Sequence, residues 1–144
     1  MKNKIFLKLL LCPLKGESRS NREIEIAKLF FKKIIVIEKG ISNDHSNWNG
    51  IEVQTRAIEL KGSILSRLIP FIQLSNYLRK VPTDCISAYD ISALTIAWLS
   101  SCLNFSSRKP LLIYDSHEFE AGRNTRRGRL TNNIVLLAEK FLMK

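Results

Sequence analysis

Cysteine is scarce in this chain: Cys12, Cys85 and Cys102 are odd in number, widely spaced and form no C-x-x-C pair. That pattern gives no support to a disulfide framework or a zinc site, and it points to a reducing cytoplasm. No uninterrupted apolar run approaches the ~20 residues needed to cross a bilayer, so any membrane contact is expected to be peripheral. The opening stretch Met1 to Cys12 is superficially like a signal peptide, but Lys8 splits its apolar run and no small-x-small cleavage site follows. It reads as a first strand. G-x-G-x-x-G and G-x-x-x-x-G-K-[ST] are both missing, which leaves a nicotinamide site and a P-loop unsupported. Zinc-finger spacings, the aromatic RNA-binding signature and basic-region heptads are missing too, so nucleic acid is not an expected partner. Neither an internal repeat nor a low-complexity tract is present.

What the chain does have is an excess of positive charge. Its 144 residues carry 23 lysines and arginines against 13 acidic residues, a formal net charge of +10. The length fits one domain with a real core. The charge predicts affinity for anionic partners, among which lipid and phosphorylated substrates qualify alongside nucleic acid.

Apolar runs of strand length recur with helical patterns between them, the signature of βαβ units. Lys4 to Leu11 reads as the first strand and Pro13 to Ser20 as a loop; Ser20-Asn-Arg-Glu23 has the capping-box spacing that starts a helix burying Ile24, Ala27 and Phe31. Ile34 to Ile37 reads as a second strand covered on both faces. Gly40 to Gly50 reads as a surface loop, with His45 solvated in it, and Ile51 to Ile58 as a third strand. Ser63 to Arg79 is helical by pattern, with Leu65, Leu68, Ile69 and Ile72 on one side and a kink at Pro70. Asp84 to Ala88 supplies a fourth strand, Ile91 to Leu103 a helix, Lys109 to Tyr114 a fifth strand, and Leu130 to Lys144 a last helix that stops in mid-pattern. The expected fold class is α/β: a doubly wound, mainly parallel sheet of about five strands flanked by helices. A further strand after the last helix is expected in such a domain, either from a continuing chain or from a partner.

The stretch Leu111-Leu-Ile-Tyr-Asp-Ser-His-Glu-Phe-Glu120 runs from an apolar strand straight into ionisable side chains. In open parallel sheets the carboxyl ends of the strands form the ligand crevice, which makes Asp115, Ser116, His117 and Glu118 candidates for binding or catalysis. Asp115 and Ser116 are equally ordinary turn and cap residues. An imidazole titrates near neutral pH and both donates and accepts hydrogen bonds, which suits His117 to a sugar or phosphate. Lys15-Gly-Glu-Ser-Arg19 lies where a helix N-terminus receives anions, and Gly16 allows close approach. Arg123, Arg126, Arg127 and Arg129 form a cluster suited to phosphates or an anionic leaflet. The amphipathic stretch from Ile64 to Lys80, with basic ends, is suited either to core packing or to a membrane surface.

Taken in order, Asp84-Cys-Ile-Ser-Ala-Tyr-Asp90, the helix Ile91 to Leu103, and Pro110-Leu-Leu-Ile-Tyr-Asp-Ser-His-Glu118 read as a "D-x-x-x-A-x-D... P-x-x-x-Y-D-x-H-E" pattern. On these residues the chain resembles the amino-terminal half of retaining, nucleotide-sugar-dependent glycosyltransferases of the GT-B architecture, the group-one or family-four kind. The resemblance implies a Rossmann-like acceptor-binding domain over residues 1–144, facing a second domain that holds the donor nucleotide. It implies sugar transfer from a nucleotide-sugar donor to a polysaccharide or lipid-linked glycan acceptor. Neither metal nor a resident cofactor is implied. His117 matches the histidine that faces the reacting sugar, and Gly16, Asp90, Ser116 and Glu118 fall on the substrate-binding loops. The chain departs from the pattern twice: the glycine pair after the first strand is Gly16-Glu17, and Tyr89 stands where a histidine often precedes the aspartate. The expected protein is cytoplasmic, peripheral at the inner face of the membrane, and inactive without its second half. It is expected to be a fragment, a truncated gene product or the acceptor-binding subunit of a two-chain transferase. The alternative is a non-catalytic module that binds an anionic membrane through the arginine cluster and recruits a partner transferase subunit.

Overall fold

Short runs of leucine, isoleucine and valine in β1 (Ile5–Leu9) and β2 (Lys33–Gly40) form strands covered on both faces, as parallel pairing in the middle of a sheet requires. The computed structural model describes residues 4–57, 64–104 and 109–115. Its elements in chain order are β1 (Ile5–Leu9), α1 (Ser18–Ala27), β2 (Lys33–Gly40), β3 (Asp44–Trp48), β4 (Ile51–Ala57), α2 (Ile64–Leu78), β5 (Cys85–Ala88), α3 (Ile91–Cys102) and β6 (Leu111–Tyr114). The six strands form one sheet in the order β3-β4-β2-β1-β5-β6. Every pairing is parallel except β3 with β4. Among the parallel strands the order is therefore third, second, first, fourth, fifth. The chain leaves β1 toward β2 on one side and later returns to β5 on the other, so a switch point lies between β1 and β5.

Helices cover both faces. On one face Ile24 and Ala27 of α1 pack with Phe6, Leu10, Ile34, Val36, Ile51 and Val53. Phe31, just past α1, places its ring 5.2 Å from that of Phe6. On the other face Leu74 and Leu78 of α2, with Ala93, Leu94, Ile96 and Ala97 of α3, pack on Leu7, Leu9, Ile35, Ile37, Ile86 and Ala88. The alternation along β1 sends Phe6, Lys8 and Leu10 to the α1 face and Leu7 and Leu9 to the other.

Three expectations are corrected here. The first concerns 40–50, read as a surface loop: it contains β3, an antiparallel edge strand joined to β4 by a two-residue turn at Asn49 (φ 51) and Gly50 (φ 78). Positive φ at both central positions is the type I′ hairpin geometry, which matches strand twist and favours Asn-Gly. All five β3 residues are exposed, so no apolar alternation advertises the strand. The second concerns the capping box. Helix α1 begins at Ser18, two residues before the expected cap, and Glu17 occupies the N-cap without its side chain capping the helix. Ser20 is then inside the helix and fully buried. The third concerns the buried side of α2. Leu68, Ile69 and Ile72 are 49%, 56% and 50% exposed, whereas Leu74 and Leu78 are buried. Pro70 lies inside α2. No helix among the described residues is long and apolar enough to cross a membrane. The expected last helix from Leu130 lies outside the described residues.

Candidate functional site

The register of the sheet places three polar residues together at the carboxyl ends of β1, β5 and β6. Lys8 of β1 is paired with Ser87 of β5, and Asp115 directly follows β6. The side chain of Lys8 is fully buried. Its ammonium donates to Ser87 Oγ at 3.1 Å, to Asp115 Oδ2 at 3.1 Å and to Glu23 Oε2 of α1. An ammonium has three protons and no acceptor, so these three partners satisfy it completely. Arg19, one helical turn before Glu23, bonds the other oxygen of Asp115 at 3.1 Å. Two cations and two carboxylates thus balance, as buried charge requires. The Lys8 ammonium also lies 5.7 Å from the centre of the Tyr89 ring.

The loops above this cluster are joined by side chains. Leu14 N donates to Glu38 Oε2 at 2.6 Å, holding the β1–α1 loop to β2. The Tyr89 hydroxyl donates to Glu17 Oε2 at 2.7 Å and ties that same loop to the β5–α3 turn. Burial pushes the Tyr89 phenol up, and the hydrogen bond to the Glu17 carboxylate and its charge add to the rise. Cys12, half-buried in the same loop, is pushed up to about 11 by burial, with the charges of Glu17, Asp90 and Glu38 adding and Lys8 opposing. A thiol held protonated is a poor nucleophile.

Of the residues singled out from sequence, Gly16 lies in the β1–α1 loop with φ +100, a conformation that L side chains rarely adopt. Asp90 is the N-cap of α3, its Oδ1 accepting from Ala93 N at 2.7 Å. Gly16 and Asp90 therefore belong to the two turns that flank the switch point. Asp115 is 10% exposed and serves as the acceptor shared by Lys8 and Arg19. Ser116, His117, Glu118, Arg123, Arg126, Arg127 and Arg129 lie outside the described residues. His45 is exposed on β3.

Sequence reasoning missed Lys8, Ser87 and Glu23. The signal for Lys8 was present: a lone cation in an otherwise apolar strand demands buried counter-charges. Glu23 was legible only as a capping partner, a role that the earlier helix start removes. Among the described residues no three His, Cys, Asp or Glu side chains are grouped to hold a metal ion. The arrangement can hold the switch-point loops in place with fixed charge. Comparison with family models, with curated proteins and with solved structures finds no match.

Proposed function

We propose that this chain is the acceptor-binding half of a glycosyltransferase that moves a sugar from a nucleotide-sugar donor to a polysaccharide or glycolipid acceptor. The observation that carries the reading is the meeting of the Gly16 loop, the Asp90 turn and the Asp115 end of β6 at one switch point. Ligands of open α/β sheets bind at such a point. The last residues of the resembling pattern follow from there in sequence, with Asp115 leading directly into Ser116, His117 and Glu118. In this reading the Lys8 cluster is structural: its charges are already paired, so it positions the loops while His117 faces the reacting sugar. The opposite wall of the cleft, and the groups that bind the donor diphosphate, belong to a second Rossmann-like half. Positive side chains and helix N-termini there neutralise the leaving diphosphate.

The test is to co-express the chain with a nucleotide-binding second half encoded in the same genome and to measure nucleoside diphosphate release with a glycan acceptor. Turnover that needs both halves, and that falls by roughly 100-fold in His117→Ala, is the expected result. No release in any combination overturns the reading, and undiminished turnover in His117→Ala removes that residue from the mechanism.

One observation favours the second reading, a membrane-binding recruitment module. Leu68, Ile69 and Ile72 leave an exposed apolar strip on α2, and Arg79 and Lys80 are exposed just past its end. An apolar strip beside basic residues is the pattern of a helix lying on an anionic surface. Sedimentation with anionic liposomes that is lost in Leu68→Ser/Ile72→Ser and weakened by salt supports this module; absence of co-sedimentation rejects it.

A further inference from the structure

We propose that the chain carries a saccharide-binding pocket on the α1 face of the sheet, beside the β3–β4 hairpin and distinct from the Lys8 cluster. Parallel strands are ordinarily joined by a crossover helix that covers the sheet. Here β2 is joined to its parallel neighbour β4 by the edge strand β3, so no crossover helix lies over β4 in this connection. A cavity of about 410 Å³ opens in that place, between the Leu14–Gly16 loop and α1 on one side and Ser46 and Trp48 of β3 on the other. Ligand pockets for small molecules begin at roughly 300 Å³, so a sugar residue fits.

The lining decides the class of ligand. Trp48 is 40% exposed although it is the largest apolar side chain of its strand. An indole face attracts polarised C–H groups, and a pyranose ring presents such a face while keeping its hydroxyls at the edge. Asn21 lines the same cavity, and its Oδ1 is shielded from water without a hydrogen-bond partner. A buried acceptor left unpaired is costly, so a turn of the Asn21 side chain toward the cavity, where a ligand hydroxyl meets it, relieves that cost. Glu38 accepts from Leu14 N and from Thr55 Oγ1, one bond on each oxygen, and retains lone pairs for further donors. Gly16 has nothing within 4 Å of where a Cβ would stand, which leaves the rim open. Charge then separates a sugar from a nucleotide, which would also stack on Trp48. Lys15 and Glu38 are the charged residues of the lining and cancel, whereas phosphates require uncompensated cations. The ligand is a neutral hexose unit of a glycan. Equating that glycan with the acceptor of the proposed transfer rests on that reading; the pocket does not.

The full chain, fluorescently labelled, is applied to arrayed neutral and anionic oligosaccharides without any donor, and wild type is compared with Trp48→Ala, Trp48→Phe and Asn21→Leu after circular dichroism shows each variant folded. Retention of neutral glycans is expected, weakened by about tenfold or more in Trp48→Ala and Asn21→Leu and kept within about threefold in Trp48→Phe. No retained neutral glycan, equal retention by folded Trp48→Ala, or retention of anionic glycans alone that salt abolishes overturns the proposal. Neutral glycans retained by a chain that supports no transfer leave the pocket standing and reject only the enzyme reading.

Discussion

The Tyr89 hydroxyl donates to the Glu17 carboxylate at 2.7 Å, so the two positions at which the chain departs from the pattern it resembles are in direct contact. The bond closes the β1–α1 loop on the β5–α3 turn across the switch point. A neutral donor to a carboxylate is worth about 1.5–3 kcal/mol where it is shielded. Tyr89→Phe is expected to lose stability of about this size in urea denaturation, and Glu17→Gln added to it to lose little more. Additive losses in the double variant would show that the two side chains act independently.

Lys8 is expected to be the most sensitive charged position. Removing one member of a buried ion pair costs roughly 3–5 kcal/mol because the remaining charges lose their partner. Lys8→Met leaves Glu23 without its cation and Asp115 with Arg19 alone. Lys8→Met/Glu23→Met is expected to recover part of the loss, since an apolar replacement of the pair leaves no orphan. Equilibrium unfolding of both variants measures this.

The three thiols should react in an order set by burial. Cys102 is exposed, while burial is the main cause that pushes Cys12 and Cys85 up to about 11. At pH 8 iodoacetamide is expected to label Cys102 first and Cys85 only on unfolding, as read by mass spectrometry. Early labelling of Cys85 would contradict its placement between the sheet and α1.

Alkaline pH should destabilise the fold. The folded values of Cys12 and Cys85 lie near 11 against an ordinary 9.0, and Tyr89 is raised as well. Each group stays protonated in the fold after it has ionised in the unfolded chain, so the contribution of the two thiols is complete below pH 9 and declines between pH 9 and 11, while that of Tyr89 starts to decline only above its ordinary value of 10.0. Melting temperatures followed across that window should fall, and less steeply in Cys85→Ala.

The hairpin depends on its turn. Gly50 has φ +78, and a Cβ in that conformation destabilises by about 1 kcal/mol or more. Gly50→Ala is expected to lower stability by this amount and to speed amide exchange in β3. Gly50→Asn, which tolerates positive φ, should lose less.

Much of this fold was legible because strand and helix patterns are written in neighbouring residues. Ile34–Ile37 and the run from Asp84 to Ala88 announce parallel strands by their apolar residues, and the structure buries them; the apolar run from Ile91 announces α3, whereas the capping role of Asp90 emerged only from the structure. Edge strand β3 was not legible from periodicity, since its residues are all exposed; only the Asn49-Gly50 pair carried the signal. For α2, the apolar stripe was visible but its orientation was not. Which side of a helix is buried depends on the sheet and on α3, and those chose Leu74 and Leu78 over Leu68 and Ile72.

The sequence by itself determined the α/β class and the succession of the parallel strands and the helices between them, because alternation, helical period and turn chemistry act over a few residues. Tertiary structure alone decided the site. Lys8 meets Glu23, Ser87 and Asp115 across separations of 15, 79 and 107 residues, and only sheet order and register bring them within hydrogen-bond reach. A lysine in an apolar strand asks for counter-charge, but which carboxylates answer is a property of the folded arrangement.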